Sequence, residues 1–246
     1  LQICLEGLAA NEGSPLSAEY ARLVHETARA YYFNGDAAQA ARMCRQALEL
    51  AEQLDTVEVQ ADALATLGLL PDLPTDEAID ALQQAVALSE ARQLLRVAHR
   101  AHINLATMLR SLKGDTLGSY KHYQRALEIS RLRGVPQEIM LSLAAVLQTS
   151  LMLGEFDAVE RGITELEAIL EDVSDPAAVQ DEIDSLRAAL LGARGDWLAA
   201  LEIARKIQSK ARRRGDLQML YNASAFLAWE LLELDYFLAP QDLSEA

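Results

Sequence analysis

Apolar positions recur three and four residues apart through almost the whole chain, and period-two alternation is sustained nowhere, so the pattern predicts helices throughout. It is clearest between Asn104 and Ile129. Leu105, Leu109 and Leu112 hold helical spacing up to Gly114, a residue suited to the left-handed conformation that closes a helix. Asp115 or Thr116 can then cap a second helix by accepting its free N–H groups, and Tyr120, Tyr123, Ala126, Leu127 and Ser130 continue the period. The predicted unit is two antiparallel helices joined by a tight turn.

The same punctuation recurs at Gly35-Asp36, Thr75-Asp76, Gly114-Asp115, Gly154-Glu155 and Gly195-Asp196, with successive second positions 40, 39, 40 and 41 residues apart. Within the second helices small or apolar residues stand two turns apart: Ala40 and Ala47, Ala78 and Ala85, Ser119 and Ala126, Val159 and Leu166, Ala200 and Ile207. Such pairs let neighbouring helices approach closely. A fixed period of about forty residues marks a helical solenoid.

The run GDAAQAARMCRQAL at Gly35 to Leu48 resembles the second half of a tetratricopeptide repeat, and Ala-Thr-Leu-Gly at Ala65 to Gly68 resembles the matching first helix. The likeness covers nearly the whole chain. It departs from the family in its longer period and in lacking the usual repeat-ending proline. The longer helices with Gly-Asp, Gly-Val-Pro or Leu-Asp connectors are similar to repeats found in large bacterial signalling ATPases, kinases and transcriptional activators. The resemblance implies a right-handed α-α superhelix whose first helices line a concave groove.

The expected organisation is one solenoid. Residues 1–13 form a trailing helix of an earlier repeat, five repeats occupy 17–54, 56–92, 93–134, 135–174 and 175–215, and 216–238 are the first helix of an incomplete one. The start at Leu1, inside an apolar helical pattern, predicts a fragment of a larger protein. Hydrophobic residues make up 51% and aromatics only 5%, which suits an extended Ala/Leu core with few large anchors. The formal charge of −15 opposes direct binding of nucleic acid or of anionic membrane surfaces. No run approaches the ~18 apolar residues of a membrane helix and no signal peptide is legible, so a cytoplasmic location is the default. Cys4 and Cys44 form no Cys-x-x-Cys pair and read as free thiols among apolar residues.

Candidate chemistry is sparse. Carboxylates such as Asp181, Glu182 and Asp184 have no pocket that would tune them, so no catalytic residue is assigned and no enzyme is expected. His99 and His102 share a helix face, yet no third ligand follows at metal spacing, and no glycine loop marks a nucleotide; neither metal nor cofactor is expected. Above this background stands a basic stripe. Counting back from the turn glycines, the resemblance places Arg22, His25, Arg29 and Tyr32, and Arg96, Arg100, Asn104, Thr107 and Arg110, on the groove side. Arginines there can fork onto carboxylate or phosphate, or pair with acidic residues of adjacent helices. The cationic end of the fifth second helix, Lys206 to Arg214, reads as a solvated turn that suits the helix dipole.

The sequence thus predicts a non-catalytic protein–protein interaction or ligand-sensing module that takes an acidic peptide or partner in its groove. The competing expectation is a homo-oligomerisation arm whose apolar end helices, Leu1 to Ala10 and Asp216 to Leu238 with Leu227, Trp229, Leu234 and Phe237, pair with a second copy.

Overall fold

The computed structural model describes residues 1–11, 13, 15–170, 172, 176–215 and 224. Among them lie eleven α-helices and no strand: α1 (Gln2–Ala10), α2 (Ala18–Phe33), α3 (Ala37–Gln53), α4 (Val57–Leu67), α5 (Thr75–Ala91), α6 (Leu95–Lys113), α7 (Thr116–Arg133), α8 (Pro136–Met152), α9 (Phe156–Ile169), α10 (Pro176–Ala193) and α11 (Trp197–Arg214). The class is the all-α helical repeat that the periodicity predicts. Two compact units divide the chain, Leu1–Val135 with α1 to α7 and Pro136–Ala246 with α8 to α11.

Short-range chemistry explains where the helices break. At the α6–α7 junction Gly114 has φ 64°, a conformation an L side chain adopts only at a cost, and the N–H of the next residue, Asp115, bonds to the Leu109 carbonyl at 3.1 Å. Asp115 follows, and its carboxylate accepts the Gly118 N–H at 2.8 Å to start α7. Asp36 and Asp196 repeat that cap for α3 and α11, accepting from Gln39 N at 3.1 Å and Ala199 N at 3.3 Å. Ser17 caps α2 in the same way through Tyr20 N. Pro74 stands at the N-cap of α5. A Gly-Asp pair therefore encodes both the end of one helix and the start of the next.

In the first unit α2 packs on α3, α3 on α4, α4 on α5, α5 on α6 and α6 on α7; α4 also packs against both α2 and α6. The seams are rich in alanine: Ala21, Val24, Ala47, Leu50, Ala51, Val59 and Ala63 form one buried cluster, and Leu64, Ala65, Ala81, Ala85 and Ala101 the next. Leu82 and Leu105 are completely or almost completely enclosed, each contributing on the order of 1.5–3 kcal/mol by leaving water. Gly68 permits the closest approach: a Cβ there would lie 2.5 Å from Leu82 Cγ and 2.7 Å from the Ala78 carbonyl oxygen. Cys44 is fully enclosed, and burial pushes its thiol up to about 12; Cys4 is half-buried, and both are free.

In the second unit α10 packs against α8, α9 and α11. Its Val179, Ile183 and Leu186 are buried, as are Val159 and Leu166 of α9 and Ala200, Ala204 and Ile207 of α11. Among the described residues no helix is long and apolar enough to cross a membrane. The end-helix residues Leu227, Trp229, Leu234 and Phe237 lie outside the described residues.

Candidate functional site

Helix α4 sits between α2 and α6, and the three first helices share one polar face in the first unit. Each contributes a stripe at helical spacing: Arg22, His25, Arg29 and Tyr32 from α2; Glu58, Asp62 and Thr66 from α4; Arg96, Arg100, Asn104, Thr107 and Arg110 from α6. Glu58 bridges the outer two, accepting from Arg22 and from Arg96 at 3.2 Å each. Asp62, 3% exposed, receives both Arg96 and Arg100. Arg100 Nη2 lies 2.7 Å from Asp62 Oδ1, and Arg100 Nη1 donates to Thr66 Oγ1 at 3.0 Å.

Thr66 fixes the tautomer of His25. Its hydroxyl donates to the Asp62 carbonyl at 3.2 Å and accepts from Arg100, so His25 Nε2, at 3.0 Å, must donate its proton to the remaining lone pair. His25 is 1% exposed. Burial drives its pKa down to about 3, aided by the positive charges of Arg100 and Arg29 against the opposing pull of Asp62, so the ring is neutral. Burial raises the Asp62 carboxyl, but Arg100 and Arg96 outweigh it and hold the group below its ordinary value. Burial also draws Arg100 down, against Asp62.

The groove residues expected from the sequence therefore divide. His25 lies in the interior, wedged between α2 and α4. Arg96 and Arg100 are committed to Asp62, and Arg22 to Glu58. Arg29 pairs within its own helix to Glu26 at 2.9 Å, and Tyr32 meets Phe33 edge to face. Asn104 donates to the Ala65 carbonyl at 3.0 Å, and Thr107 shares a 2.9 Å hydrogen bond with Tyr123 on α7. Arg110 is different: it enters no ion pair among the described residues, and its Nε is buried without a partner. Counting the face together, five guanidinium groups meet three carboxylates, Glu26, Glu58 and Asp62, leaving two positive charges in excess.

The partners on α4 were missed by a reading that followed cations alone. Glu58, Asp62 and Thr66 stand four residues apart along a stretch in which Gln60 is the one other polar residue, which is the signal that could have found them. In the second unit, Asp181 and Asp184 turn to α11 rather than to an open groove: Lys210 reaches them at 3.4 and 3.2 Å and Arg214 binds Asp181. The end of α11 is accordingly an ion-pair network as well as a dipole partner. Glu182 faces α8, accepting from Gln148 at 2.7 Å, and burial raises its carboxyl. Among the described residues no group of three or more His, Cys, Asp or Glu could hold a metal.

No family model and no curated protein matches the chain. Solved structures do. Aspartyl phosphate phosphatase F from Bacillus subtilis superposes with a TM-score of 0.67 at 14% identity, over 94% of this chain and 64% of that one. The likeness is one of fold. The apo form of RapI gives a TM-score of 0.65 at 11% identity, covering 95% of this chain and 90% of its own. A Rap protein complexed with competence and sporulation factor gives 0.57 at 13% identity, covering 89% and 65%. This chain thus spans about two thirds of the length of the first and third of these proteins, and it shares their helical-repeat architecture.

Proposed function

We propose that the chain is a non-catalytic binding module of a larger signalling protein, and that its α2–α4–α6 face receives an acidic peptide or an acidic segment of a partner. The observation that carries this reading is Arg110, a guanidinium that among the described residues meets no carboxylate, on a face with two excess positive charges, in a chain of formal charge −15. A carboxylate meeting such a group contributes on the order of 1.5–3 kcal/mol when sheltered. Occupancy would also brace the three first helices that Asp62 and Glu58 already tie together, so a bound segment would bias the repeat toward one arrangement. A protein of similar fold solved in complex with competence and sporulation factor supports binding as the task of this architecture.

Fluorescence anisotropy with a labelled peptide of alternating glutamate and leucine tests the reading. Arg110→Glu should weaken binding at least tenfold, and raising salt from 50 to 500 mM should weaken it further. Affinity indifferent to both changes overturns the proposal. Arg100 is the wrong residue for this test, because reversing its charge would strand Asp62.

Self-association is the second reading. On α1 no residue is buried and Ile3 is 83% exposed, so that helix offers an apolar face to a second copy. Light scattering across a concentration series separates the two, since a concentration-independent monomer removes this alternative.

A further inference from the structure

The chain has four histidines. His102 on α6 and His122 on α7 meet with their Nδ1 atoms 2.8 Å apart, ring centroids at 5.1 Å and planes tilted by 37°. Behind His102, Nε2 lies 3.2 Å from Glu90 Oε1 on α5. An ionised carboxylate has no proton to give, so His102 Nε2 carries the ring hydrogen and its Nδ1 is a bare lone pair. His122 Nδ1 must then be the donor between the rings. Glu90 is itself clamped by Arg125, whose Nε and Nη2 donate to its two oxygens at 2.8 and 3.0 Å. The two Nδ1 atoms thus face each other head to head, and one ring is oriented from behind by a fixed carboxylate. That second feature is the outer support that metal-bound histidines use.

We propose that His102 and His122 form a binding site for a divalent transition metal of the imidazole-preferring class, such as Zn²⁺ or Ni²⁺, clipping α6 to α7. With both nitrogens about 2.0–2.1 Å from a tetrahedral ion they would stand about 3.3 Å apart, so the nitrogens must part by about half an ångström and both rings must turn to aim their lone pairs at one point beside the line that now joins them. On binding, His122 gives up its Nδ1 proton to solvent and takes one at Nε2, while His102 keeps its proton on Glu90. The pair admits the ion with no change in its own charge. His102 is 5% exposed and His122 half-buried, so entry is from the His122 side. With two protein ligands the ion keeps open positions for water, as an exchangeable site does and a closed structural one does not.

Calorimetric titration of the full chain with zinc chloride at pH 7.5 tests this. One ion per chain is expected. His122→Ala, at a half-buried position, should weaken binding at least tenfold while the helical circular dichroism is retained, and Glu90→Gln should weaken it by roughly 10–100-fold through loss of the orienting charge. His99→Gln should bind as the parent chain does. Absence of saturable binding up to millimolar zinc overturns the proposal, and so does binding that survives His122→Ala unchanged.

Discussion

One nitrogen of Arg100 grips Asp62 twice: Nη2 donates to the carboxylate Oδ1 at 2.7 Å and to the main-chain carbonyl of the same residue at 2.5 Å. The pair joins α6 to α4 with the Asp62 side chain 5% and the Arg100 side chain 19% exposed. Removing the negative partner would leave a sheltered cation whose Nε is already without an acceptor. Asp62→Asn is expected to lower the unfolding free energy by about 3 kcal/mol, read as a lower urea midpoint at unchanged slope. A midpoint unmoved by the change would show that the pair does not hold α4 to α6.

Acid should weaken the same region through His25. Its folded pKa, about 3, lies below the ordinary 6.5, so the unfolded chain binds the extra proton between those values. Stability linked to His25 is complete above pH 6.5 and is lost progressively as pH falls toward 3. Between pH 7 and pH 5 the loss is about 2 kcal/mol. His25→Gln, which keeps a donor for Thr66, should flatten the urea midpoint over that interval relative to the parent chain. Equal slopes in the two proteins would mean that His25 takes up its proton without opening the interior.

Close packing at Gly68 gives a third expectation. A methyl group there would collide with Leu82 and with the Ala78 carbonyl, and the backbone oxygen cannot rotate away. Gly68→Ala should cost on the order of 1–3 kcal/mol despite a higher intrinsic helix propensity. Thermal unfolding would read it directly; a gain in Tm would mean that α4 and α5 separate at little cost.

Helix capping at the connectors is separable from packing. Asp115→Ala removes the acceptor for Gly118 N–H and should cost about 1 kcal/mol, whereas Asp115→Ser should restore most of it. Equal stability of the two variants would assign the start of α7 to tertiary contacts instead.

The helical repeat was legible because its causes are local. Gly114 and Asp115 declare a helix end and a helix start through conformational preference and hydrogen bonds that reach only three to six residues along the chain. The face between α2, α4 and α6 was legible only as a set of cations. Arg100 and Asp62 are 38 residues apart, and only the side-by-side packing of α4 and α6 makes them partners. His25 shows a different limit: the repeat resemblance assigned it to the groove stripe, but a residue at the edge of a stripe turns inward when the next helix closes over it. Asp181 and Asp184 show the same limit, since the cations that neutralise them arrive from α11, more than twenty residues on. His122 was invisible as a partner of His102 because the two lie on different helices of one pair.

The enclosure of Cys44 gives this fold an internal clock. With its thiol driven up to about 12 and no surface exposed, it can react with a disulfide reagent near neutral pH only while α3 has come away from its neighbours. Cys4, half-buried on α1, has no such lock. Modification of the chain should therefore proceed in two phases, a prompt one at Cys4 and a slow one whose rate counts the openings of the first unit. Any ligand that braces α2, α4 and α6 would lengthen the second interval, so binding could be timed at a position no ligand touches.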